Sequence, residues 1–318
     1  MNHLPLLLKR LPNAVYLFTG ILILFSLIAP NFLSIMNLSN MVLQGSVLLI
    51  VSLGMTIVML SNGIDLSVGA LMSLTGMMAG ISLANEWGVI PSLLFGISIG
   101  LFSGLFIGFS VAKLNFQPFI ATFGMMGILE GISLYSNKGH TVYWSDSIFN
   151  FIGSGYFLSI PFPIWIAAMV FSMVYFLLYK TPFGVNVFAV GGHEEGLRLS
   201  GVNVKRQKML IYMVSGLLAS LGGLILASRI ASGHPTVGIG YEFEAIASSV
   251  IGGTTFFGGH GGIIGTVFGA LIITLLRNGL NLLGFTTPYQ YCAIGFILAV
   301  GITLNIVYSR ENTNHGRI

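Results

Sequence analysis

Apolar runs of about 20 residues recur along almost the whole chain, and they constrain its fold more than any other feature. A helix of that length rises about 1.5 Å per residue and therefore crosses the ~30 Å hydrocarbon core of a membrane. Only 7% of the 318 residues are charged, whereas soluble domains have about 25%. The pattern predicts an all-α, multi-pass membrane protein, because a β-barrel would show alternating segments of about ten residues.

Glycine, proline and polar residues divide the sequence into ten predicted spans within a single membrane domain, 1–318. They lie at about 14–29, 41–60, 67–84, 89–111, 118–136, 161–179, 209–231, 243–257, 263–283 and 288–308. The eighth span is the weakest, because 251–262 contains six glycines, which disfavour a continuous helix. We interpret it either as a short or re-entrant helix beside a pathway, or as glycines that permit close helix crossing.

Positive charge predicts the orientation of the chain. Ten of the 13 Lys and Arg residues fall in segments on one side of the membrane, two lie within spans, and Lys138 alone lies in an external loop. The positive-inside rule then puts both termini and the polar segment 180–208 in the cytoplasm. Because the basic residues are distributed as topology signals, the pI of about 9.2 does not indicate binding to nucleic acid. Membrane lipid is the expected surrounding partner.

The sequence has neither a nucleotide-binding motif nor a zinc-protease motif. No lysine directly follows a glycine, so there is no nucleotide-binding P-loop. The His-Glu-x-x-His pattern of zinc-protease helices is absent as well. The single cysteine, Cys292, excludes a disulfide within the chain and a cysteine metal cluster. We expect a protein that is not an enzyme and holds no cofactor or metal.

Ionisable residues near or within spans are candidate functional residues, because burying a charge in lipid is costly. Six such residues occur: Asp65, Glu130, Arg229, Glu242, Glu244 and Arg277. Glu130 and Arg277 lie at similar depth near the outer ends of their spans, so one hypothesis is an intramembrane ion pair. The alternative is that each side chain reaches separately to the outer interface.

A second group of candidates lies between the second and third spans. Asn62, Asp65 and Ser67 place an amide, a carboxylate and a hydroxyl within six residues, which suits a pathway for a polyhydroxyl solute. The alternative is that Asp65 or a neighbour caps the third span, and the two interpretations are compatible.

A short sequence match indicates an internal repeat. GIDLSVGALMSLTG at 63–76 aligns with GYEFEAIASSVIGG at 240–253, with Asp65 opposite Glu242. The copies lie five spans apart, and an odd offset inverts the second copy, as in transporters built from inverted repeats around a central pathway. Glu242 thereby becomes a pathway candidate, although a chance match in a biased composition is equally compatible.

The segment 180–208 has the pattern of a short helix on the cytoplasmic surface. Within the segment, two adjacent glycines precede the predicted helix, and acids follow at the helix start, where the dipole favours them. A further glycine ends the helix about two turns later. A soluble partner could bind such a helix, and a solvated connector is the alternative. The residues concerned are Gly192, His193, Glu194, Glu195, Leu199 and Gly201.

Three motifs together carry a family resemblance: NGIDLSVGA at 62–70, TPFGVNVFAVGGHEEGLRLSGVNV at 181–204 and GYEFEAIASSVIGGTTFFGG at 240–259. The chain resembles the ribose-type permeases of bacterial ATP-binding-cassette sugar importers, from about residue 14 to 308. The resemblance implies a ten-helix inner-membrane permease that pairs with a second copy or a related permease. A cytoplasmic ATPase would bind the helix at 192–201, and a periplasmic sugar-binding protein would dock outside.

The resemblance leaves alternatives open. The family tends to have Arg, Asn and Ala where this chain has Val185, His193 and Gly196, and these differences affect which ATPase it accepts. A permease of the same superfamily could carry branched-chain amino acids, nucleosides or a sugar-like signal. An ion-coupled secondary transporter would instead use Asp65 or Glu130 as its proton site.

Overall fold

The computed structural model describes residues 13–297 together with 299 and 303. In this part the chain forms helices joined by short loops, which confirms the all-α prediction. The helices are α1 Asn13–Ile28, α2 Ile35–Leu60, α3 Val68–Ala84, α4 Val89–Ala112, α5 Pro118–Ser136, α6 Ser147–Ser154, α7 Phe162–Lys180, α8 Pro182–Leu199, α9 Val204–Ile230, α10 Tyr241–Ile251, α11 Ile263–Leu282 and α12 at 287–297. The strands are β1 Val142–Tyr143, β2 Tyr156–Phe157, β3 Ile160–Pro161 and β4 Ser232–Gly233, and they form the antiparallel pairs β1–β4 and β2–β3.

Among the described residues, six helices are long and apolar enough to cross a membrane: α2, α4, α5, α7, α9 and α11. Helices α1 and α3 are apolar but shorter than 18 residues. Helix α10 has 11 residues, which corresponds to about 16 Å and is too short to span the hydrocarbon core. The predicted eighth span therefore contains only a short helix, and nine of the 21 residues of the predicted tenth span lie outside the described residues.

The core of the bundle consists of α2, α3 and α9. Helix α9 packs along α2, α3 and α4, and α11 packs against α2 and α10. In the most apolar 18-residue stretch of α2, 83% of the residues are buried, whereas in that of α5 only 17% are buried. The outer helices thus present apolar side chains outward, as expected for a protein surrounded by lipid.

A glycine stripe brings α4 and α9 close together. Glycine occurs at every fourth position of α4, and this face packs on α9: Gly96, Gly100, Gly104 and Gly108. A Cβ at Gly104 would overlap the carbonyl oxygen of Tyr212 and lie 2.8 Å from the Cα of Met213. Small residues at such spacing let helix backbones approach within a membrane.

A non-helical stretch, 234–240, follows β4 and runs beside α3 before α10 begins. Side chains of neighbouring helices complete its backbone hydrogen bonds. Ser73 accepts the amide hydrogen of Gly238 at 2.8 Å, and the Ser133 hydroxyl donates to the carbonyl of Pro235 at 2.9 Å. Irregular backbone within a membrane protein requires this kind of internal satisfaction.

Candidate functional site

Helix α8 bends sharply at the position where the sequence places its two adjacent glycines. His193 has non-helical dihedral angles, φ −155° and ψ 78°, and so separates the first part of α8 from a short second part. The helix ends at Leu199, and Gly201 follows with φ +84°, a conformation that glycine adopts without steric cost. The expected short helix between Gly192 and Gly201 is present within the predicted coupling segment 180–208. We call residues 193–201 the coupling segment, after the ATPase-binding role that the resemblance implies.

The two glutamates of the coupling segment have different partners. Glu194 accepts hydrogen bonds through both carboxylate oxygens from the Lys208 ammonium group, each at 2.8 Å, and this ties the segment to α9. Glu195 pairs with Arg198 at 2.6 Å within the segment, and the hydrogen bond from Arg198 lowers the pKa of Glu195. Leu199 is 78% exposed. One side of the segment therefore contacts the body of the protein, while Glu195 and Leu199 face outward.

Three distant parts of the sequence meet beside the bend in α8, and we call this contact the motif junction. The amide of Gly259 donates to the carbonyl of Leu60 at 2.9 Å. Gly191 packs against both groups, since a Cβ there would overlap the Leu60 oxygen and lie 2.6 Å from the Gly259 nitrogen. A Cβ at Gly258 would lie 2.8 Å from the Asn62 Cβ. The end of α2, the glycine-rich loop after α10 and α8 are thus in backbone contact.

Asp65 is buried, and both of its carboxylate oxygens accept hydrogen bonds. Its Oδ1 accepts from the backbone amide of Ser67 at 3.1 Å and from the Ser67 hydroxyl at 2.6 Å. Its Oδ2 accepts from the Ser215 hydroxyl of α9 at 2.8 Å. The N-cap residue of α3 is Ser67, and no side chain makes a capping hydrogen bond there, so the capping interpretation of Asp65 is wrong. Asp65 instead fixes the turn before α3 to α9. The sequence did not single out Ser215, because one serine in an apolar helix has no distinctive signal.

Glu242 is also buried, at the beginning of α10. Its carboxylate accepts the amide hydrogen of Gly240 at 3.0 and 3.1 Å. It lies directly against Gly69, where any side chain would collide with it. The second residue of α3 and the second residue of α10 are therefore neighbours, so the two sequence segments aligned as a repeat touch at their helix starts.

The expected pair of Glu130 with Arg277 is corrected by the structure. The Arg277 guanidinium donates to Glu244 Oε1 at 2.7 Å, and the Glu244 side chain is only 4% exposed. Glu130 takes part in none of the ion pairs found among the described residues. Equal depth along two spans did not make them neighbours, because α11 packs on α10 and not on α5.

Asn62 and Glu194 line one cleft of about 300 Å3, whose wall also includes Tyr212 and Lys208. The structure thus brings a predicted pathway residue beside the coupling segment, whereas Asp65 and Ser67 point into the α3–α9 contact. Within the described residues, no group of three or more His, Cys, Asp or Glu side chains could hold a metal ion.

Comparison with known proteins gives a family match over most of the chain. Residues 37–301 match the family described as the branched-chain amino acid transport system / permease component. The match extends over more than half of the chain. The chain belongs to this family. No solved structure matches it significantly.

Curated relatives of this permease family match over nearly their full length. The ribose import permease protein RbsC of Haemophilus influenzae is 42% identical over 281 residues, which cover 87% of each chain. The RbsC protein of Bacillus subtilis is 37% identical over 287 residues, covering 90% of this chain and 89% of the relative. The D-allose transport system permease protein AlsC of Escherichia coli is 34% identical over 293 residues, covering 91% and 90%. The resemblance to ribose-type permeases is confirmed.

Proposed function

We propose that this chain is the permease subunit of an ATP-binding-cassette importer in the bacterial inner membrane, where it forms the pathway for a monosaccharide. Relatives named for ribose, D-allose and galactose import support a sugar as the solute. The family description names branched-chain amino acids, so a same-superfamily permease for such a solute is the alternative. A periplasmic binding protein would deliver the sugar and provide most of the selectivity.

The observation that carries this proposal is the bent α8, which holds one side of the coupling segment on the protein body and turns the other outward. The exposed Leu199 and the Glu195–Arg198 pair form a surface suited to a soluble ATPase. The chain is a transport subunit like its relatives, and it does not itself hydrolyse ATP at a P-loop, because its sequence has none. A separate cytoplasmic ATPase subunit hydrolyses ATP.

Charge supports a cytoplasmic position for the coupling segment. Basic residues concentrate on the face of the molecule that carries α8, the α4–α5 connection and the start of α9: Lys113, Lys180, Arg198, Lys205, Arg206 and Lys208. Lys138 lies in the loop after α5, at the other end of the bundle. By the positive-inside rule the α8 face is cytoplasmic, and both termini belong on that side.

The motif junction offers a route from the ATPase to the transmembrane helices. A displacement of the coupling segment would act through Gly191 on the end of α2 and on the loop after α10. Helix α10 leads to Glu242 and its contact with Gly69. With α3 and α10 as the cores of two inverted repeats, and a second permease copy beside this one, Asn62, Asp65, Ser67 and Glu242 belong to the region that rearranges around the pathway.

Affinity purification of the tagged chain in mild detergent, followed by mass spectrometry, tests the assembly. We expect a cassette ATPase and a periplasmic sugar-binding protein to co-purify, and ATP to drive sugar uptake by the reconstituted complex. Recovery of the chain alone, combined with uptake that needs no ATPase but requires a proton gradient, would refute the proposal and favour a secondary transporter.

A matched pair of substitutions tests the coupling segment. Leu199→Arg adds charge to the outward surface, so we expect ATPase co-purification and uptake to fall at least tenfold with no loss of folded protein. Leu158→Arg is the control, because Leu158 is similarly exposed, 73% against 78%, in the β2–β3 turn at the other end of α7. Equal uptake by the two variants would remove Leu199 from the ATPase contact.

A further inference from the structure

The cleft beside the coupling segment has the composition of a small-molecule site. It has a volume of about 300 Å3 and lies between the end of α2, the α4–α5 connection and the start of α9. Its wall includes three carboxamide side chains and two aromatic rings: Asn62, Asn115, Gln117, Phe116 and Tyr212. Since a water occupies about 30 Å3 in the liquid, the cleft accommodates a monosaccharide together with a few waters.

The polar groups of the cleft are available to a ligand. In the part of the chain that the structure describes, the side chains of Asn62, Asn115 and Gln117 make no hydrogen bond. The hydroxyl of Tyr212 is buried, with the residue 2% exposed, and it approaches the backbone of Ile64 but makes no well-formed hydrogen bond among the same residues. A carboxamide and a phenol each donate and accept hydrogen bonds, so together they complement hydroxyl groups, which also do both.

The charged residues and the aromatic surface of the cleft narrow the class of ligand that it can bind. Among the described residues, the charged ones in the lining are Glu194 and Lys208, and they neutralise each other through two contacts of 2.8 Å. The lining therefore has no net charge and favours a neutral ligand over an anion or a cation. The half-exposed ring of Phe116 provides an apolar surface for the C–H face of a sugar ring, as apolar walls do in ligand pockets generally.

We propose that this cleft binds an uncharged polyhydroxylated solute and that the bound solute slows import. The inference rests on the proposed function, which makes the α8 face cytoplasmic and makes the imported sugar the natural occupant. The coupling segment contributes Glu194 to the wall of the site, and the body of the protein contributes Lys208 and the other lining residues. A ligand that bridges the two stabilises this arrangement over any in which the segment moves, so accumulated sugar opposes the motion that drives transport.

Binding is tested on the full-length chain alone, in lipid nanodiscs, with D-ribose as the probe. Saturation-transfer NMR detects the ribose signal above that of empty nanodiscs. We expect Gln117→Leu and Tyr212→Phe to lower the signal at least threefold. Gln44→Leu is the matched control and leaves the signal unchanged, because Gln44 lines a separate polar cavity with Arg277. Absence of a wild-type signal, equal signals in all variants, or tighter binding of ribose 5-phosphate would overturn the site.

Regulation is tested in right-side-out membrane vesicles that contain the complete transporter and internal ATP. Internal D-ribose should lower the initial uptake rate at least twofold in the wild type and leave it unchanged in Gln117→Leu. An identical response in both refutes the regulatory role. If ATP drives uptake in the vesicles but the chain in nanodiscs binds no ribose, the site is refuted and the proposed function stands. Uptake that is independent of ATP refutes the proposed function, whatever the nanodiscs show.

Discussion

Two adjacent glycines provide a sharp test of the motif junction. An added methyl group at Gly191 would overlap the carbonyl of Leu60 and crowd the amide of Gly259, whereas one at Gly192 meets no atom within 4 Å. Overpacking costs about 1–3 kcal/mol, and loss of the hydrogen bond between Leu60 and Gly259 costs about 0.5–1.5 kcal/mol more. We therefore expect Gly191→Ala to be less stable than Gly192→Ala by about 2–4 kcal/mol. The gain from replacing a helical glycine applies to both and cancels.

Reversible unfolding in mixed detergent micelles, followed by circular dichroism, measures this difference in the free energy of unfolding. Uptake in cells is the functional readout. Gly191→Ala should reduce transport per folded molecule, because it pushes α8 away from α2 and from the loop after α10, while Gly192→Ala should transport normally. Free energies of unfolding that agree within about 0.5 kcal/mol would refute the reasoning, since the close backbone contact could not then exist.

Other predictions concern the buried polar contacts. Glu244→Gln leaves the Arg277 guanidinium, whose side chain is 32% exposed, without its carboxylate, and should cost about 2–4 kcal/mol, below the range for a fully buried pair. Arg277→Met should recover part of that loss in a double-mutant cycle, whereas adding it to the control Glu130→Gln should give additive effects. Ser215→Ala removes a donor from the buried carboxylate before α3 and should cost about 1–3 kcal/mol, measured by the same unfolding assay. Ser98→Ala, at an exposed helix position, should stay within about 0.5 kcal/mol.

The coupling segment shows how far local sequence reasoning extends. Glycine, acid and glycine signals at Gly192, Glu194 and Gly201 predict a short helix with defined ends, and the structure has a helix break at His193 and a left-handed Gly201. These signals act through the backbone of neighbouring residues, so they are readable without the rest of the fold. The choice of Lys208 as the partner of Glu194 required the packing of α9 against α8.

The charged residues within the spans show where such reasoning ends. The sequence identified Glu130, Glu244 and Arg277 as costly in lipid, and the expectation from equal depth that Arg277 pairs with Glu130 was wrong. The partner is Glu244, since the structure packs α11 on α10. Depth along a span is a property of one helix, whereas pairing depends on which helices are adjacent.

Composition and apolar periodicity alone determined that the chain is an all-α membrane protein, because the bilayer requires long apolar helices with internally satisfied backbones. Three motifs were enough to indicate the family. The tertiary structure alone decided that α10 is too short to span the membrane, that Asp65 is held by Ser215, and that Leu60, Gly191 and Gly259 touch. These contacts join residues far apart in the chain, and they depend on close packing of several helices at once, which no local pattern encodes.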